Sequence, residues 1–125
     1  MKGHNKNIGA LGERLAALQL FLKGYRIIDK NYRIRNGEID IIAKDIHGII
    51  VFAEVKTRIN APKGAPADAV GYYKRKNIIN TAKSYISKKG LYGKDVRFDV
   101  IEVYIIKKRW FLGFRINHIK NAFEV

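Results

Sequence analysis

Apolar positions along this chain switch between helical and strand spacing, and the switches mark its elements. Ile8, Leu11, Leu15, Leu18 and Leu22 recur every three or four residues, which predicts a helix over 7–23 with Asn7 as its N-cap and Gly24 as its stop. Residues 25–35 alternate less regularly and predict a strand or an interrupted strand. Residues 37–43 and 49–56, rich in Ile, Val and Phe, flank Asp45-Ile46-His47-Gly48, the pattern of two antiparallel strands joined by a short turn. The stretch 57–66 holds both prolines and predicts a mobile loop, one that can close over a substrate or equally serve as a plain connection. A second helix is expected over 67–89, burying Val70, Ile78, Ala82 and Ile86 and ending at Gly90. Residues 96–106 read as a strand and 110–116 as an edge strand, with 117–123 docking as a short turn or helix. There is no repeat, low-complexity tract or linker, and 125 residues suit one domain.

The hairpin carries the candidate chemistry. With its turn centred near His47, Asp40 faces Glu54 and Glu38 faces Lys56, and opposed residues stand with Cβ atoms ~4.5–5.5 Å apart. Strict alternation puts Glu38, Asp40, Ile42, Ile50, Phe52, Glu54 and Lys56 on one face, and Ile39, Ile41, Val51, Ala53 and Val55 on the other. Two readings are open at this point. Opposed carboxylates with a neighbouring lysine can hold a divalent cation and orient water. The same residues can form a solvated face with a Glu38–Lys56 ion pair, although that leaves two like charges opposed at Asp40 and Glu54.

Charge changes the picture. Lys and Arg number 25 against 11 Asp and Glu, a formal net charge of +14, which favours a polyanion as partner. A membrane surface is the competing explanation, but it calls for a basic amphipathic helix with bulky apolar anchors, and no stretch is long enough to span a bilayer. The second helix is one-sidedly basic: Lys74, Arg75, Lys76, Lys83, Lys88 and Lys89 are interleaved with Tyr72, Tyr73 and Tyr85, a combination that suits nucleic acid. Arg33, Arg35 and Arg58 are further candidates for phosphate contacts. Glu13 lies off the leucine stripe among Gly9, Ala10, Ala16 and Ala17, where a close neighbour can approach; otherwise it is a solvent-facing acid near the helix start.

Other chemistries recede. The chain has no cysteine, which excludes disulfides and thiolates and suits a cytoplasmic location. His4, His47 and His118 are scattered, each expected at the surface or in a turn rather than as zinc ligands. Ser84 and Ser87 have no histidine to activate them, and Gly9-Ala10-Leu11-Gly12 suits close helix packing better than phosphate binding.

Taken in order, the Glu13 helix, Gly37-Glu38-Ile39-Asp40, Val51-Phe52-Ala53-Glu54-Val55-Lys56-Thr57-Arg58, the lysine-bearing helix, Arg97-Phe98-Asp99-Val100 and His118-Ile119-Lys120-Asn121-Ala122-Phe123 resemble the bacterial YraN family. That family is similar to the PD-(D/E)XK nucleases, near archaeal Holliday-junction resolvases. The resemblance implies an α/β, restriction-endonuclease-like core: a mixed central sheet flanked by helices, in the order α-β-β-β-α-β(-β). It implies Mg²⁺, with Mn²⁺ as a substitute, held by Asp40, Glu54 and the Val55 carbonyl, with Lys56 orienting or deprotonating water and Glu13 supporting a metal or its waters. It further implies structured or branched DNA as substrate, ahead of RNA, and a homodimer. A nucleic-acid-binding module without useful catalysis is the alternative. Ala53, where a larger apolar residue is usual, and Lys63-Gly64, where an aromatic-Gly pair is common, depart from the family pattern.

Overall fold

The leucine spacing is realised as helix α1, Lys2–Leu22, in the computed structural model, which describes residues 2–61 and 70–124, with side chains from Asn7 onward. Among these residues the further elements are β1 (Arg26–Ile34), β2 (Gly37–Lys44), β3 (Ile50–Ile59), α2 (Tyr72–Lys89), β4 (Val96–Lys108) and β5 (Phe111–Phe123). The order is therefore α-β-β-β-α-β-β, an α/β arrangement with one five-stranded mixed sheet ordered β1-β2-β3-β4-β5. Neighbours pair antiparallel except β3 and β4, which run parallel because the chain crosses over through α2 between them.

Each helix covers one face. Ala16 and Leu20 of α1 pack on Ile41, Ala43, Val51, Ala53, Ile101, Val103 and Ile105, while Ile78, Ala82 and Tyr85 of α2 pack on Ile39, Ile42, Ile50, Phe52, Phe98 and Val100. These residues are nearly inaccessible to solvent, and each large one contributes ~1.5–3 kcal/mol of burial free energy. Two glycines set how closely the helices approach. A Cβ at Gly12 would collide with Thr57 Oγ1 on β3, and one at Gly37 would collide with Thr81 Oγ1 and meet the Asn77 carbonyl at 3.0 Å.

Several local expectations are corrected. Asn7 lies inside α1, five residues past its start, so it is not the N-cap. At the other end Gly24 adopts φ +93° and Tyr25 N–H reaches back to the Leu20 carbonyl, a left-handed helix stop. Helix α2 begins at Tyr72, capped by extended Gly71, rather than at Ala67, and ends at left-handed Gly90. Strand β3 runs on to Ile59, so Thr57, Arg58 and Ile59 belong to the sheet and not to a loop; the expected loop over Pro62–Pro66 and the helical start at 67–69 lie outside the described residues. Residues 117–123 form neither turn nor helix but complete the thirteen-residue strand β5. His118 is buried, its Nε2 standing 2.7 Å from Asp99 Oδ2. Tyr85 is buried too, edge-on to Tyr32 and Phe52, with Lys89 Nζ 5.8 Å from its ring centroid. Among the described residues no helix is long and apolar enough to cross a membrane.

Candidate active site

The hairpin turn sits where its register requires. Lys44 pairs with Ile50 and Ala43 with Val51, centring the turn on His47, and Asp45 Oδ1 accepts the His47 and Ile49 N–H groups to lock it. The ladder then continues through Ile42–Phe52 and ends at Ile41–Ala53, one step short of Asp40 and Glu54. Alternation also fails there. Ile39 joins the α2 cluster although Ile41 sits in the α1 cluster, so Ile39 does not share a face with Ile41 as strict period two requires. The break lies beside two irregular points: Asn31, between the Lys30–Ile41 and Tyr32–Ile39 pairs, takes φ +53°, and Gly37 sits close against Thr81 and Asn77 of α2.

Asp40 occupies the gap that opens. Its Oδ2 accepts the Val55 N–H at 2.8 Å, replacing the missing ladder bond and fixing the carboxylate between β2 and β3. Glu54, only 8% exposed, lies beside it. The β2–β3 ladder does not extend to Glu38 and Lys56; Glu38 is opposite Arg33 on β1 and meets its Nε at 3.2 Å. Lys56 instead stands beside Glu102 in the parallel β3–β4 register. Glu102 is wholly buried, accepting hydrogen bonds from Tyr104 Oη at 3.1 Å and Asn117 Nδ2 at 2.8 Å.

Two depressions meet at the acidic pair. A cleft of about 650 Å³ on the α2 side is lined by Arg33, Arg35, Glu38, Asp40, Glu54 and Lys74, among others. A smaller one of about 380 Å³ on the α1 side is lined by Glu13, Asp40, Glu54, Val55 and Thr57. Glu13 thus comes to the site because Gly12 lets α1 sit directly on Thr57. Lys74 reaches in from the first turn of α2, its Nζ 2.6 Å from Glu54 Oε1, and this hydrogen bond raises its pKa. Burial, then the Glu54 carboxylate, push Asp40 from 3.8 up to about 7; the Val55 hydrogen bond opposes the shift, while Glu13 and Glu38 add to it.

Of the expected phosphate contacts, Arg33, Arg35 and Lys74 border the large cleft. Lys76 and Lys83 do not: they line a separate groove with Tyr72 and Glu124 on another side of α2. Arg58 is half-buried on β3, beside Tyr104 in the register.

Asp40, Glu54 and Glu13 offer hard oxygen donors, the kind Mg²⁺ prefers, and Mg²⁺ commonly uses only one or two carboxylates beside water and substrate phosphates. Among the described residues no three or more acids or histidines are grouped so as to hold a metal ion, and a site here would rest on the Asp40–Glu54 pair. The donors fit such an open site in kind, and a cation would offset the burial and the Glu54 repulsion that together lift Asp40.

Two features of the neighbourhood were not legible as sites. Glu102 reads in sequence as one polar position in an apolar strand; only the parallel register sets it beside Lys56. Asp99 anchors a buried network: Arg97 Nε donates to Oδ1 at 2.9 Å, Asn121 N–H donates to Oδ1 at 2.9 Å, and His118 stands on Oδ2. Arg97 also bridges to Asp45 at 3.2 Å and Tyr25 Oη at 2.9 Å, tying the hairpin turn to β4 and the end of α1.

Fold and site together define an α/β protein with an acidic, cation-rimmed cleft where two strands of a mixed sheet part. The chain belongs to the family described as uncharacterised protein family UPF0102, whose model matches residues 12–103. It is 49% identical over 120 residues to a UPF0102 protein of Clostridioides difficile (strain 630), covering 96% of this chain and 99% of that one. A UPF0102 protein of Geobacter sulfurreducens is 45% identical over 98% of this chain and 92% of its own. One from Caldanaerobacter subterraneus subsp. tengcongensis is 42% identical, with 98% of each chain covered.

Proposed function

We propose that this protein is a metal-dependent endonuclease that hydrolyses phosphodiester bonds in DNA, structured or branched DNA above all, in keeping with its resemblance to the YraN and resolvase-like nucleases. The observation that carries the reading is the meeting of Asp40 and Glu54 at the parting of β2 and β3, reached from both helix sides and rimmed by Arg33, Arg35 and Lys74. Two carboxylates brought together at such a cost to Asp40 call for a positive counterpart, and the rim supplies the charge to hold phosphates beside them.

In this reading Asp40 and Glu54, with the Val55 carbonyl, hold Mg²⁺ or Mn²⁺, and Glu13 supports the metal or its waters. When bound, the cation polarises a phosphoryl oxygen and makes water more acidic. The chain's own groups do the rest. Val55 N–H fixes the Asp40 carboxylate in place. Lys56, one strand step beyond Val55 and opposite Glu102 in the β3–β4 register, orients the attacking water. Lys74, now on Glu54 at the cleft rim, would contact a substrate phosphate if a metal held that carboxylate.

The Lys74–Glu54 pair also favours a second reading, a nucleic-acid-binding module without useful catalysis, since an internal cation already satisfies Glu54. Purified protein incubated with a four-way junction, linear duplex, single strand and the matching RNAs, each with Mg²⁺, Mn²⁺ or EDTA, separates the two. Cleavage should require the metal and fall at least ~100-fold in Asp40→Asn and Lys56→Ala. Nicking that persists in EDTA or in Asp40→Asn would sink the metal-nuclease reading; salt-sensitive binding without cleavage would favour the module. Preferential cleavage of RNA would move the substrate class.

A further inference from the structure

Strands β4 and β5 pair beyond the rest of the sheet. Ile59, the last residue of β3, pairs with Ile105, and Asn60 closes that junction by exchanging side-chain hydrogen bonds with the Lys107 backbone. Past this point, among the described residues, β4 and β5 pair only with each other to Lys108–Phe111, turning through Arg109 and Trp110. The tip inverts the usual surface rule. Trp110 is 89% exposed, and Phe111, Leu112 and Phe114 are all more than half exposed.

Cations are interleaved with these rings. Lys107, Lys108, Arg109 and Arg115 stand within nine residues, and the sequence holds no acid between Glu102 and Glu124. The side chains are arranged rather than merely exposed. Arg109 lies over the Trp110 ring at 5.4 Å and Arg115 over Tyr104 at 4.4 Å. The Phe111 ring lies against Gly113, where an added Cβ would stand 2.8 Å from its Cζ, so the glycine lets the ring lie along the strand.

Register places this tip in line with the acidic cleft. Lys56, Glu102 and Asn117 are successive neighbours across β3, β4 and β5, as are Arg58, Tyr104 and Arg115 two residues farther along; in pleated strands such rows share a face, and Phe111 follows four residues on. From Val100, the partner of Glu54, to Lys108 is eight residues, or roughly 27 Å of strand, the axial length of about eight base pairs.

We propose that the β4–β5 tip is a second nucleic-acid contact that stacks unpaired bases on Trp110 and Phe111 while Lys107, Lys108 and Arg109 hold the flanking phosphates. The substrate it selects is DNA with a single-stranded or forked segment about one turn or less from the cut. This rests on the endonuclease reading for the cut itself, but not for binding. Charge chooses the occupant: a second copy docked tip to tip would bring two sets of like cations together, whereas a polyanion neutralises them, and every base offers a face to an aromatic ring.

Trp110 is the chain's single tryptophan, so its emission reports on the tip alone. The full chain in EDTA is titrated with a dT16 oligonucleotide, a blunt duplex and a forked duplex; vesicles of phosphatidylglycerol and phosphatidylcholine form a further arm. Quenching of twofold or more by dT16 and by the fork, with little by blunt duplex, is expected. Trp110→Ala and Phe111→Ala, read by anisotropy of labelled DNA, should each weaken fork binding tenfold or more and leave blunt-duplex binding within threefold, with far-UV circular dichroism unchanged.

Unquenched Trp110 at saturating fork, or equal quenching by blunt duplex, overturns the proposal. So does a blue shift on vesicles without quenching by DNA, which makes the tip a membrane contact, or concentration-dependent association abolished by Trp110→Ala, which makes it a self-contact. Failure of the catalytic reading is distinguishable: quenching by the fork together with absence of cleavage in Mg²⁺ leaves the tip contact standing and removes the nuclease.

Discussion

At the residue scale, single side chains decide whether the acids meet. Gly12 is one. Alanine there must push Thr57 or lift α1, so Gly12→Ala should cost about 1–3 kcal/mol, read as a lower urea midpoint, and should reduce any cleavage further by moving Glu13 from Asp40. Asp99 is another. Burial alone would raise its pKa above 3.8, but hydrogen bonds from His118, Arg97 and the Asn121 backbone outweigh burial and lower it. A carboxylate with a lowered folded pKa adds stability above its unfolded pKa and loses it as pH falls through the folded value. The Asp99 contribution, read as the difference in thermal midpoint between wild type and Asp99→Asn, should therefore hold from pH 7 to about 5 and shrink below pH 3.8, while the raised Asp40 makes both proteins more stable as pH falls from 7. Asp99→Ala, which strands Arg97 within the network, should cost about 3–5 kcal/mol at pH 7 by denaturant unfolding. A variant as stable as wild type would mean that the network contributes nothing net.

At the scale of elements, α2 is both the crossover that makes β3 and β4 parallel and the carrier of Lys74. Its ends are set by glycines, Gly71 extended and Gly90 at φ +65°. Gly90→Ala forces a side chain into the left-handed region and should destabilise by about 1–2 kcal/mol, again by urea unfolding, with a smaller loss if the helix frays by a turn. The basic face expected of this helix divides in the folded chain. Lys74 serves the acidic cleft while Lys76 and Lys83 border another groove, because at about 100° per residue only one or two lysines of a run can face any one site. Charge swap at Lys74, as Lys74→Glu, should therefore weaken DNA binding more than Lys83→Glu does.

For the whole molecule, a net charge of +14 with cations on the cleft rim and the hairpin tip makes binding a matter of counterion release. If six or more phosphates are contacted, affinity should fall ~10³-fold or more between 50 and 200 mM salt. Anisotropy titrations across that range give the slope; one near zero would exclude phosphate contacts as the source of affinity.

Much of this was legible in the chain. The helical spacing of Ile8, Leu11, Leu15, Leu18 and Leu22, the hairpin turn at His47 and the glycines at 24 and 90 follow from local periodicity and backbone sterics, which act between residues a few positions apart, and so the sequence alone determined the order of elements and that Asp40 and Glu54 come close. What it did not determine was where regularity stops. The β2–β3 ladder stops one step short of Asp40, and Ile39 turns to the α2 side next to left-handed Asn31 and the tight Gly37–α2 contact, while the burial of the His118 side chain depends on a β5 that no turn or alternation signal extended to Phe123. Lys74 on Glu54, Glu13 at the cleft and Glu102 beside Lys56 are likewise meetings of distant segments. Only the tertiary structure could decide them, because they depend on how close two helices can lie on one sheet and which register a parallel crossover adopts.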